Sequence, residues 1–432
     1  MNYPLTKTVD ASDTYFGKTY RDPYRWLENV KDGDAEAWFR AQADLTDSVL
    51  AKIPGRDALV EEWMALDQLK PAEYSAITYE NGRVFYKKTL GGENVGRLFL
   101  RESWDGPERL LFDPAGYKAG VTTTIQGFVP SWNGKHVAIA LSSCGTEYSE
   151  VRVLEVERAT LLPDRIYPSL GPFGWTRDGS AFFYDAGKVT DITATDIELN
   201  RKARLHKLGT EASTDVDFFS NESYPGLEIP ANELVSVYID ESYPDYVIGF
   251  TTTAQNEMRI FYAPSSEIGK QSINWNVLCE RSDMLVRGLA FDRDHVYAVT
   301  HAGTPNYKVV RTSVRHPDWK HAEMVVPEAA DSIQYITKSK HYLLVVYSNG
   351  VAGRLLKYNL SSGTSETVNL PASGIVNVTC PDRNSDRCLV FIESWTSPQT
   401  IYDLMRGRES SARAFSTRTS HIRASRIFRR KK

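Results

Sequence analysis

The sequence is poor in cysteine and has no long apolar segment. Its four cysteines are Cys144, Cys279, Cys380 and Cys388. Because they are few, scattered and without a Cys-x-x-Cys motif, they exclude a disulfide framework and predict buried or incidental thiols. No run approaches the about twenty apolar residues of a membrane-spanning helix, and Met1–Pro4 lacks the basic start and apolar core of a secretory signal. We therefore expect a cytoplasmic protein with no membrane partner.

Motifs for serine catalysis are also missing. A serine nucleophile of the α/β-hydrolase type needs small residues around it on a sharp turn, and no Gly-x-Ser-x-Gly occurs in the chain. The nearest sequences, Leu141–Gly145 and Ser348–Gly350, lack the preceding glycine and lie in predicted strands or their turns. The sequence therefore predicts no catalytic residue.

Metal and cofactor motifs are equally scarce. The eight histidines form no His-Glu-x-x-His, and His316 and His321 lie around Pro317 without a partnering carboxylate pattern. Gly91–Gly96 has neither the glycine spacing nor the Lys-Ser/Thr ending of a phosphate loop, so we interpret it as a hairpin turn. These observations predict no metal-binding residue, no cofactor-binding residue and no cofactor.

The composition of the sequence is typical of a globular protein, with 41% hydrophobic and 25% charged residues. Its 432 residues suffice for a large core and indicate two or three domains. Aromatic residues make up 11% of the chain, which favours a strand-rich fold.

Residues 1–71 are predicted to be a helical segment. Asp22 is expected to cap a short helix that has Pro23 at its first position. A second helix is predicted by apolar residues three and four positions apart, which are Ala37, Trp38, Ala41, Leu45, Val49 and Leu50. A third helix is predicted over Arg56–Leu69, after a Pro-Gly stop signal.

Residues 72–404 change to short apolar runs behind polar turns, and this unit recurs seven times. The turns are Glu80–Gly82, Trp132–Gly134, Arg177–Gly179, Tyr243–Asp245, Asp292–Asp294, Ser339–Lys340 and Asn384–Asp386. Each is followed at once by a strand-like run, as in a hairpin. Successive turns lie 52, 45, 67, 49, 46 and 44 residues apart, mostly near the length of a four-stranded blade. The pattern predicts a seven-bladed β-propeller.

The one long interval contains residues 189–230, which are rich in Asp, Thr, Asn and Glu. We interpret this stretch as a loop or hairpin inserted within a blade.

The most distinctive local motif is Asp22–Glu28, followed by Asp34, Glu36, Trp38 and Gln42. Further characteristic segments follow in order: Leu141–Thr146, Val151–Val156, Gly174–Ser180, Thr304–Lys308, Val325–Glu328 and Thr396–Leu404. The ordered set spans nearly all of residues 3–404 and resembles the N-terminal part of the prolyl oligopeptidase family.

This resemblance implies a mainly β fold, a seven-bladed propeller preceded by helices that pack on an α/β-hydrolase domain. In the family that domain carries a Ser, Asp, His triad, cleaves short peptides after proline, and is capped by a propeller that excludes folded proteins. No segment after Leu404 resembles it, so the catalytic domain is expected to be absent. Leu170–Phe173 and Thr251–Ala254 would approach a substrate, but both differ from the mammalian-type enzyme, and no binding residue is carried over.

Residues 405–432 depart from this pattern. They hold ten Lys or Arg residues and one acidic residue, Glu409, so the tail carries +9 and the rest of the chain −13, which sum to the net charge of −4. The abrupt change predicts a premature or frame-shifted, disordered end. The alternative is a basic arm for nucleic acid or anionic lipid, which the scarcity of interleaved aromatic residues disfavours.

Two functional hypotheses follow. The first is the N-terminal portion of a prolyl oligopeptidase-like endopeptidase, inactive alone, whose propeller gates short proline-containing peptides when a hydrolase domain is supplied. The alternative is a stand-alone propeller that binds a peptide or protein partner. In the family the hydrolase domain covers the apolar face of the N-terminal helices, so without it Trp26, Leu27 and Trp38 are expected to be partly exposed and to favour association with a protein partner.

Overall fold

A computed structural model describes residues 2–69 and 71–404. The expectation of a disordered basic tail at 405–432 lies outside the described residues. The chain divides into two units, residues 1–69 and 70–432.

The first unit contains two α-helices, α1 (Gly33–Leu50) and α2 (Arg56–Asp67). The Asp32 side chain accepts hydrogen bonds from the backbone N–H groups of Asp34 and Ala35, so it caps the positive end of α1. Gly55 precedes α2 with φ of +81°, a left-handed conformation that glycine adopts without strain. The second and third predicted helices are therefore present, with α2 two residues shorter than predicted.

The start of this unit differs from the all-helical prediction. Strands β1 (Ser12–Tyr15) and β2 (Lys18–Arg21) form a hairpin, and only a single 3₁₀ turn over Arg25–Glu28 follows. Asp22 does not cap a helix that begins at Pro23. Its carboxylate instead accepts hydrogen bonds from the backbone N–H of Tyr24 and the Nε–H of Arg25. These two donors are therefore hydrogen-bonded without a longer helix.

The second unit consists of seven antiparallel sheets in sequence order. Blade 1 contains β3 (Ala72–Glu80), β4 (Arg83–Leu90), β5 (Arg97–Arg101) and β6 (Glu108–Phe112). Blade 2 contains β7 (Thr123–Pro130), β8 (His136–Ser143), β9 (Ser149–Glu155) and β10 (Thr160–Ser169). Blade 3 contains β11 (Pro172–Trp175), β12 (Ala181–Ala186), β13 (Lys202–Lys207) and β14 (Val216–Phe219). Blade 4 contains β15 (Leu234–Ile239), β16 (Tyr246–Thr252), β17 (Arg259–Pro264) and β18 (Asn276–Cys279).

The remaining blades continue the same order. Blade 5 contains β19 (Leu285–Asp292), β20 (His295–Thr300), β21 (Lys308–Ser313) and β22 (Glu323–Val326). Blade 6 contains β23 (Ser332–Lys338), β24 (Tyr342–Ser348), β25 (Gly353–Asn359) and β26 (Ser365–Thr367). Blade 7 has three strands among the described residues, β27 (Ile375–Thr379), β28 (Leu389–Ser394) and β29 (Ser397–Asp403). The seven-bladed propeller predicted from the sequence is confirmed.

All seven predicted turns connect the first strand of a blade to its second strand. Asn81 and Gly82 in the first turn have φ of +48° and +86°, and such a pair of left-handed residues is typical of a tight two-residue hairpin. Asn, Asp or Gly therefore marks the same point of six blades, and Ser339–Lys340 occupies it in blade 6.

The interpretation of residues 189–230 as one inserted loop or hairpin is wrong. The inserted segment is the loop 187–201 between β12 and β13, and the following residues form β13 and β14. Strand β13 does not resemble the short apolar runs of the other blades, because four of its six side chains are charged or imidazole groups, Lys202, Arg204, His206 and Lys207.

The hydrophobic core is divided among the interfaces between blades. Seven clusters of buried apolar residues lie one at each interface, from blades 1 and 2 around to blades 7 and 1. First strands of neighbouring blades contact each other, as β7 and β15 do with β11 and β23 does with β19. The first strands therefore surround the central axis, and all of them run in the same direction along it.

Within residues 2–69 and 71–404, no helix combines the length and apolar character needed to cross a bilayer.

Candidate functional site

The propeller has two faces, which we name by the chain. The turn face carries the seven turns between first and second strands, and the opposite face carries the residues where first strands begin, such as Ala72 in β3. A ligand that reaches the axis passes one of these two faces.

On the turn face, side chains of the turns connect neighbouring blades. The Asn81 side-chain amide donates to the carbonyl of Asn133 at 3.0 Å, so the first turn is bonded to the second. The Asp386 carboxylate in the seventh turn accepts from the Ser339 hydroxyl at 2.9 Å and lies 2.8 Å from Nδ1 of His341. Polar turn residues thus form hydrogen bonds between neighbouring blades as well as within their own hairpins.

The main cluster of ionisable groups at the turn-face end of the axis is a carboxyl pair. Glu80 ends β3 in blade 1, and Glu241 follows β15 in blade 4, yet their carboxyl groups lie close enough to shift each other's pKa. Blades 1 and 4 are not neighbours, so the two groups can meet only across the axis. Two carboxyl groups that lie this close do not both ionise readily.

Burial is the largest cause that raises the pKa of both Glu80 and Glu241, and the neighbouring carboxyl group of Glu241 raises the pKa of Glu80 further. The positive charge of Arg383, from the seventh turn, opposes this shift at both groups, while the negative charge of Asp382 reinforces it. Three blades therefore contribute charged groups to one end of the axis. At neutral pH the pair keeps a proton that exposed glutamates would release.

Aromatic side chains lie next to the carboxyl pair in the sequence. Tyr79, beside Glu80, stacks on Trp104 with ring centroids 5.5 Å apart. The guanidinium carbon of Arg387 lies 4.1 Å from the Trp104 ring centroid, which connects blade 7 to blade 1. Tyr238, at the end of β15, stacks on Phe250 at 5.4 Å. These contacts hold the strand ends that carry Glu80 and Glu241.

On the opposite face, a cavity of about 700 Å³ lies where blades 6, 7 and 1 meet. Its apolar lining includes Tyr74 and Trp395, and its carboxylates come from Glu73 and Glu393. Trp395, in the turn between β28 and β29, is fully exposed. The combination of aromatic surface and negative charge suits a ligand that has an apolar body and a cationic end.

The two segments predicted to approach a substrate also belong to this opposite face. Leu170–Phe173 connects blade 2 to blade 3, and Thr251–Ala254 leads from β16 to β17. Leu170 and Gly171 line a second cavity of about 400 Å³ together with Gln126 and Glu147. The structure brings the segments to one face, while their role in substrate contact stays a prediction.

The serine sequences considered above lie in ordinary blade structure. Ser142 is buried in β8 and donates to the carbonyl of Thr146, and Ser348 ends β24 and accepts the N–H of Gly350. Several histidines are bonded to carboxylates, as His301 is to Glu257 at 3.0 Å. Among residues 2–69 and 71–404, no three His, Cys, Asp or Glu side chains converge as a metal-binding group. The predicted lack of catalytic and metal residues stays a prediction.

The carboxyl pair was not predicted from the sequence. Glu80 is the first residue of the first turn, and Glu241 lies two residues before Tyr243, which begins the fourth. No local pattern identifies the pair, because the two residues approach each other only when the ring of blades closes.

Comparisons with known proteins agree with this architecture. The family model described as prolyl oligopeptidase, N-terminal beta-propeller domain, matches residues 3–412. A prolyl endopeptidase from Elizabethkingia meningoseptica is 22% identical over 405 residues, which cover 93% of this chain and 55% of the relative. Prolyl oligopeptidase A from Amanita bisporigera is 24% identical over 392 residues, which cover 83% of this chain and 50% of the relative. The chain thus spans about half the length of these curated relatives.

Solved structures show the same fold. A structure from a structural and mechanistic analysis of two prolyl endopeptidases superposes with a TM-score of 0.79 at 23% identity, covering 93% of this chain and 58% of the other. Prolyl oligopeptidase B from Galerina marginata, bound to a 25mer macrocyclization substrate, gives a TM-score of 0.78 at 21% identity, covering 94% of this chain and 59% of the other. With the family model matched over residues 3–412, the chain belongs to the prolyl oligopeptidase N-terminal β-propeller family.

Proposed function

We propose that this chain is the helical and propeller portion of a prolyl oligopeptidase-like serine endopeptidase and that it has no peptidase activity alone. The observation that carries the proposal is the family match over residues 3–412 in a chain that spans about half the length of its relatives. Post-proline cleavage of short peptides then requires a hydrolase domain, which the propeller screens from folded proteins.

The first unit supports the need for a partner domain. Helix α2 has no buried residue, and Trp63 and Met64 on it are 64% and 59% exposed. Trp26, Leu27 and Trp38, predicted to be partly exposed, are half-buried, and the two indole N–H groups donate to the Lys7 carbonyl and the Thr6 hydroxyl. An apolar helix surface of this kind favours association with a protein partner.

The propeller supports a gating role. Glu80 of blade 1 and Glu241 of blade 4 approach each other at its turn-face end, so an extended peptide that passes along the axis meets both carboxyl groups. The cavity on the opposite face, beside Trp395, provides room for a short peptide rather than a folded protein. The cytoplasmic location stays a prediction.

The direct test is an assay of the purified chain with a post-proline chromogenic peptide and with a fluorophosphonate probe for activated serines. We expect neither turnover above buffer nor labelling, because Ser142 and Ser348, the serines nearest to a nucleophile motif, are hydrogen-bonded to backbone groups within blade 2 and blade 6. A full-length prolyl endopeptidase serves as the positive control. Stoichiometric labelling of a serine in this chain would contradict the proposal.

A second observation separates an interrupted peptidase from a stand-alone propeller. The DNA downstream of codon 404 is translated in all three forward frames. The proposal expects a Gly-Gly-Ser-x-Gly-Gly context followed by Asp and His in one of them. A downstream sequence without such a reading frame would instead favour a propeller that binds a peptide or protein by itself.

A further inference from the structure

Two cysteines flank the turn of the first hairpin of blade 7. Strand β27 ends at Thr379, β28 begins at Leu389, and these two residues are paired in the ladder. Cys380 and Cys388 are therefore the next opposing pair, and their Sγ atoms lie 2.8 Å apart. Both side chains are buried and both are free thiols.

Register and distance meet the requirements for a cross-strand disulfide. The bond needs sulfur atoms about 2.05 Å apart and Cβ atoms about 3.5–4.5 Å apart, which opposing residues of an antiparallel pair approach without movement of the strands. The two sulfurs lie within 1 Å of that bonding distance. By contrast, Cys144 is exposed in the turn after β8, and Cys279 in blade 4 contacts the Met258 carbonyl.

We propose that Cys380 and Cys388 are a site of reversible disulfide formation, which closes the nine-residue segment that carries the seventh turn. Glutathione disulfide is a sufficient oxidant. One cysteine thiolate attacks a glutathione sulfur and forms a mixed disulfide, releasing one glutathione thiolate. The second cysteine thiolate attacks the protein sulfur of that mixed disulfide, forms the Cys380–Cys388 bond and releases the second glutathione. Two electrons pass to glutathione disulfide and two protons leave the cysteines.

The burial of both thiols limits the rate of this reaction. The hydrogen bond with Cys380 and burial both raise the pKa of the Cys388 thiol, so little thiolate is present at neutral pH. The first attack therefore requires the exposed end of the hairpin, at Arg383 and Asn384, to open. Oxidation is expected to be slow and to accelerate as the pH rises.

The segment between the cysteines has structural consequences beyond its hairpin. Arg383 contributes positive charge to Glu80 and Glu241, Asp386 binds Ser339 of blade 6, and Arg387 lies over a ring of blade 1. A covalent closure at Cys380 and Cys388 would hold these three contacts in one arrangement. The redox state of Cys380 and Cys388 thereby affects the side-chain contacts at the turn-face end of the axis.

The test uses the full chain and the positions of its arginines. The protein is incubated with glutathione disulfide at pH 8, remaining thiols are blocked with N-ethylmaleimide, and the denatured protein is digested with trypsin without reductant. Trypsin cleaves after Arg383 and Arg387, which separates Cys380 from Cys388 in the sequence. We expect the two peptides to remain joined in near-stoichiometric yield and to separate on addition of dithiothreitol.

Matched variants identify the pair. Cys388→Ser should abolish the joined species, whereas Cys144→Ser, which removes the exposed thiol, should leave its yield unchanged. The oxidised wild-type chain should also show a thermal midpoint a few degrees above that of the reduced chain, because the closed segment restricts the unfolded state. The proposal is overturned if wild-type Cys380 and Cys388 are both found blocked by N-ethylmaleimide, or if either is joined only to glutathione or to another cysteine. Since that result comes from the wild-type chain, it does not depend on the folding of a variant.

Discussion

His206 is a fully buried histidine that connects two blades through its charge. Its Nδ1 lies 2.9 Å from Asp215 and its Nε2 lies 3.0 Å from Asp164, which belongs to β10 in blade 2. Both ring nitrogens face carboxylate acceptors, so the doubly protonated imidazolium satisfies both bonds. Burial lowers the pKa of His206, but the hydrogen bonds and charges of Asp215 and Asp164 together outweigh it, and the net shift is upward.

This residue makes stability depend on pH in a defined direction. Because the folded pKa of His206 is raised, its stabilising contribution is complete below the unfolded pKa of about 6.5 and is lost as the pH rises through the folded pKa. We expect His206→Gln to lower the free energy of unfolding by about 3–5 kcal/mol at pH 6, since two buried carboxylates lose their cation. The difference in the free energy of unfolding between His206→Gln and wild type should be smaller at pH 9. Thermal denaturation at both pH values measures it.

The control for His206 is His321→Gln. His321 also lies 2.9 Å from a carboxylate, that of Asp318, but both side chains are largely exposed. Removal of this pair should change stability by less than about 1 kcal/mol at either pH. If the effect of His206→Gln were equal at pH 6 and pH 9, the imidazolium assignment would be wrong.

At the residue scale, the sequence predicted turn chemistry better than pairings between blades. Asn81 and Gly82 could be identified because a tight turn requires left-handed residues at two adjacent positions. The contact of Glu80 with Glu241 could not, because it depends on the closure of the ring. The Cys380–Cys388 pair could have been predicted from the sequence, since the seventh predicted turn, Asn384–Asp386, lies between the two cysteines in a hairpin.

At the scale of elements, the loop 187–201 of blade 3 is held by a buried ion pair. Arg201, at the end of the loop, and Asp185, in β12, have side chains that are 0% and 2% exposed. Arg201 also donates to the Ile197 carbonyl at 3.2 Å, and Asp185 accepts the N–H of Leu170 at 2.8 Å. The pair thus ties the inserted loop to the connection that enters blade 3.

We expect Arg201→Ala to destabilise the protein by about 3–5 kcal/mol, because it leaves the Asp185 carboxylate buried without its cation. The loop should also be cleaved faster by trypsin at Lys188. Adding Asp185→Asn to Arg201→Met removes both charges, and the asparagine oxygen can still accept from Leu170. This double variant should recover at least half of the loss in thermal midpoint. A double variant as unstable as Arg201→Ala would contradict the role of charge.

Two elements that the sequence did not predict, the β1–β2 hairpin and β13, each depend on an unusual local choice. The β1–β2 hairpin turns at Phe16 and Gly17, with φ of +52° and +76°, and phenylalanine is rarely found in the left-handed region. Strand β13 carries Arg204 and His206 where apolar residues were expected, because His206 faces the buried carboxylate of Asp215 and Arg204 pairs with the partly exposed carboxylate of Asp217. Local patterns fail where tertiary partners compensate an unfavourable local choice.

At the scale of the whole molecule, the ring is closed by side chains between blades 7 and 1. Each sheet is formed from consecutive strands, so among residues 71–404 no strand is shared between the first sheet and the last. Their cluster contains five buried apolar residues, whereas each of the other six contains eight or more. The other interfaces are also joined by the chain itself. We therefore infer that blades 7 and 1 form the weakest interface of the ring.

Trp104 is the residue through which this inference can be tested. Its ring lies between Tyr79 of blade 1 and the guanidinium of Arg387 of blade 7. Trp104→Ala should raise amide hydrogen exchange at least tenfold in blades 1 and 7, which corresponds to about 1.4 kcal/mol of opening free energy, and leave blade 4 unchanged. The matched variant is Trp319→Ala, which removes the hydrogen bond from Trp319 to the Leu278 carbonyl between blades 5 and 4. Because the chain still joins those blades, the increase should remain local to them. Equal increases around the ring in both variants would show that the interface between blades 7 and 1 is no weaker than the rest.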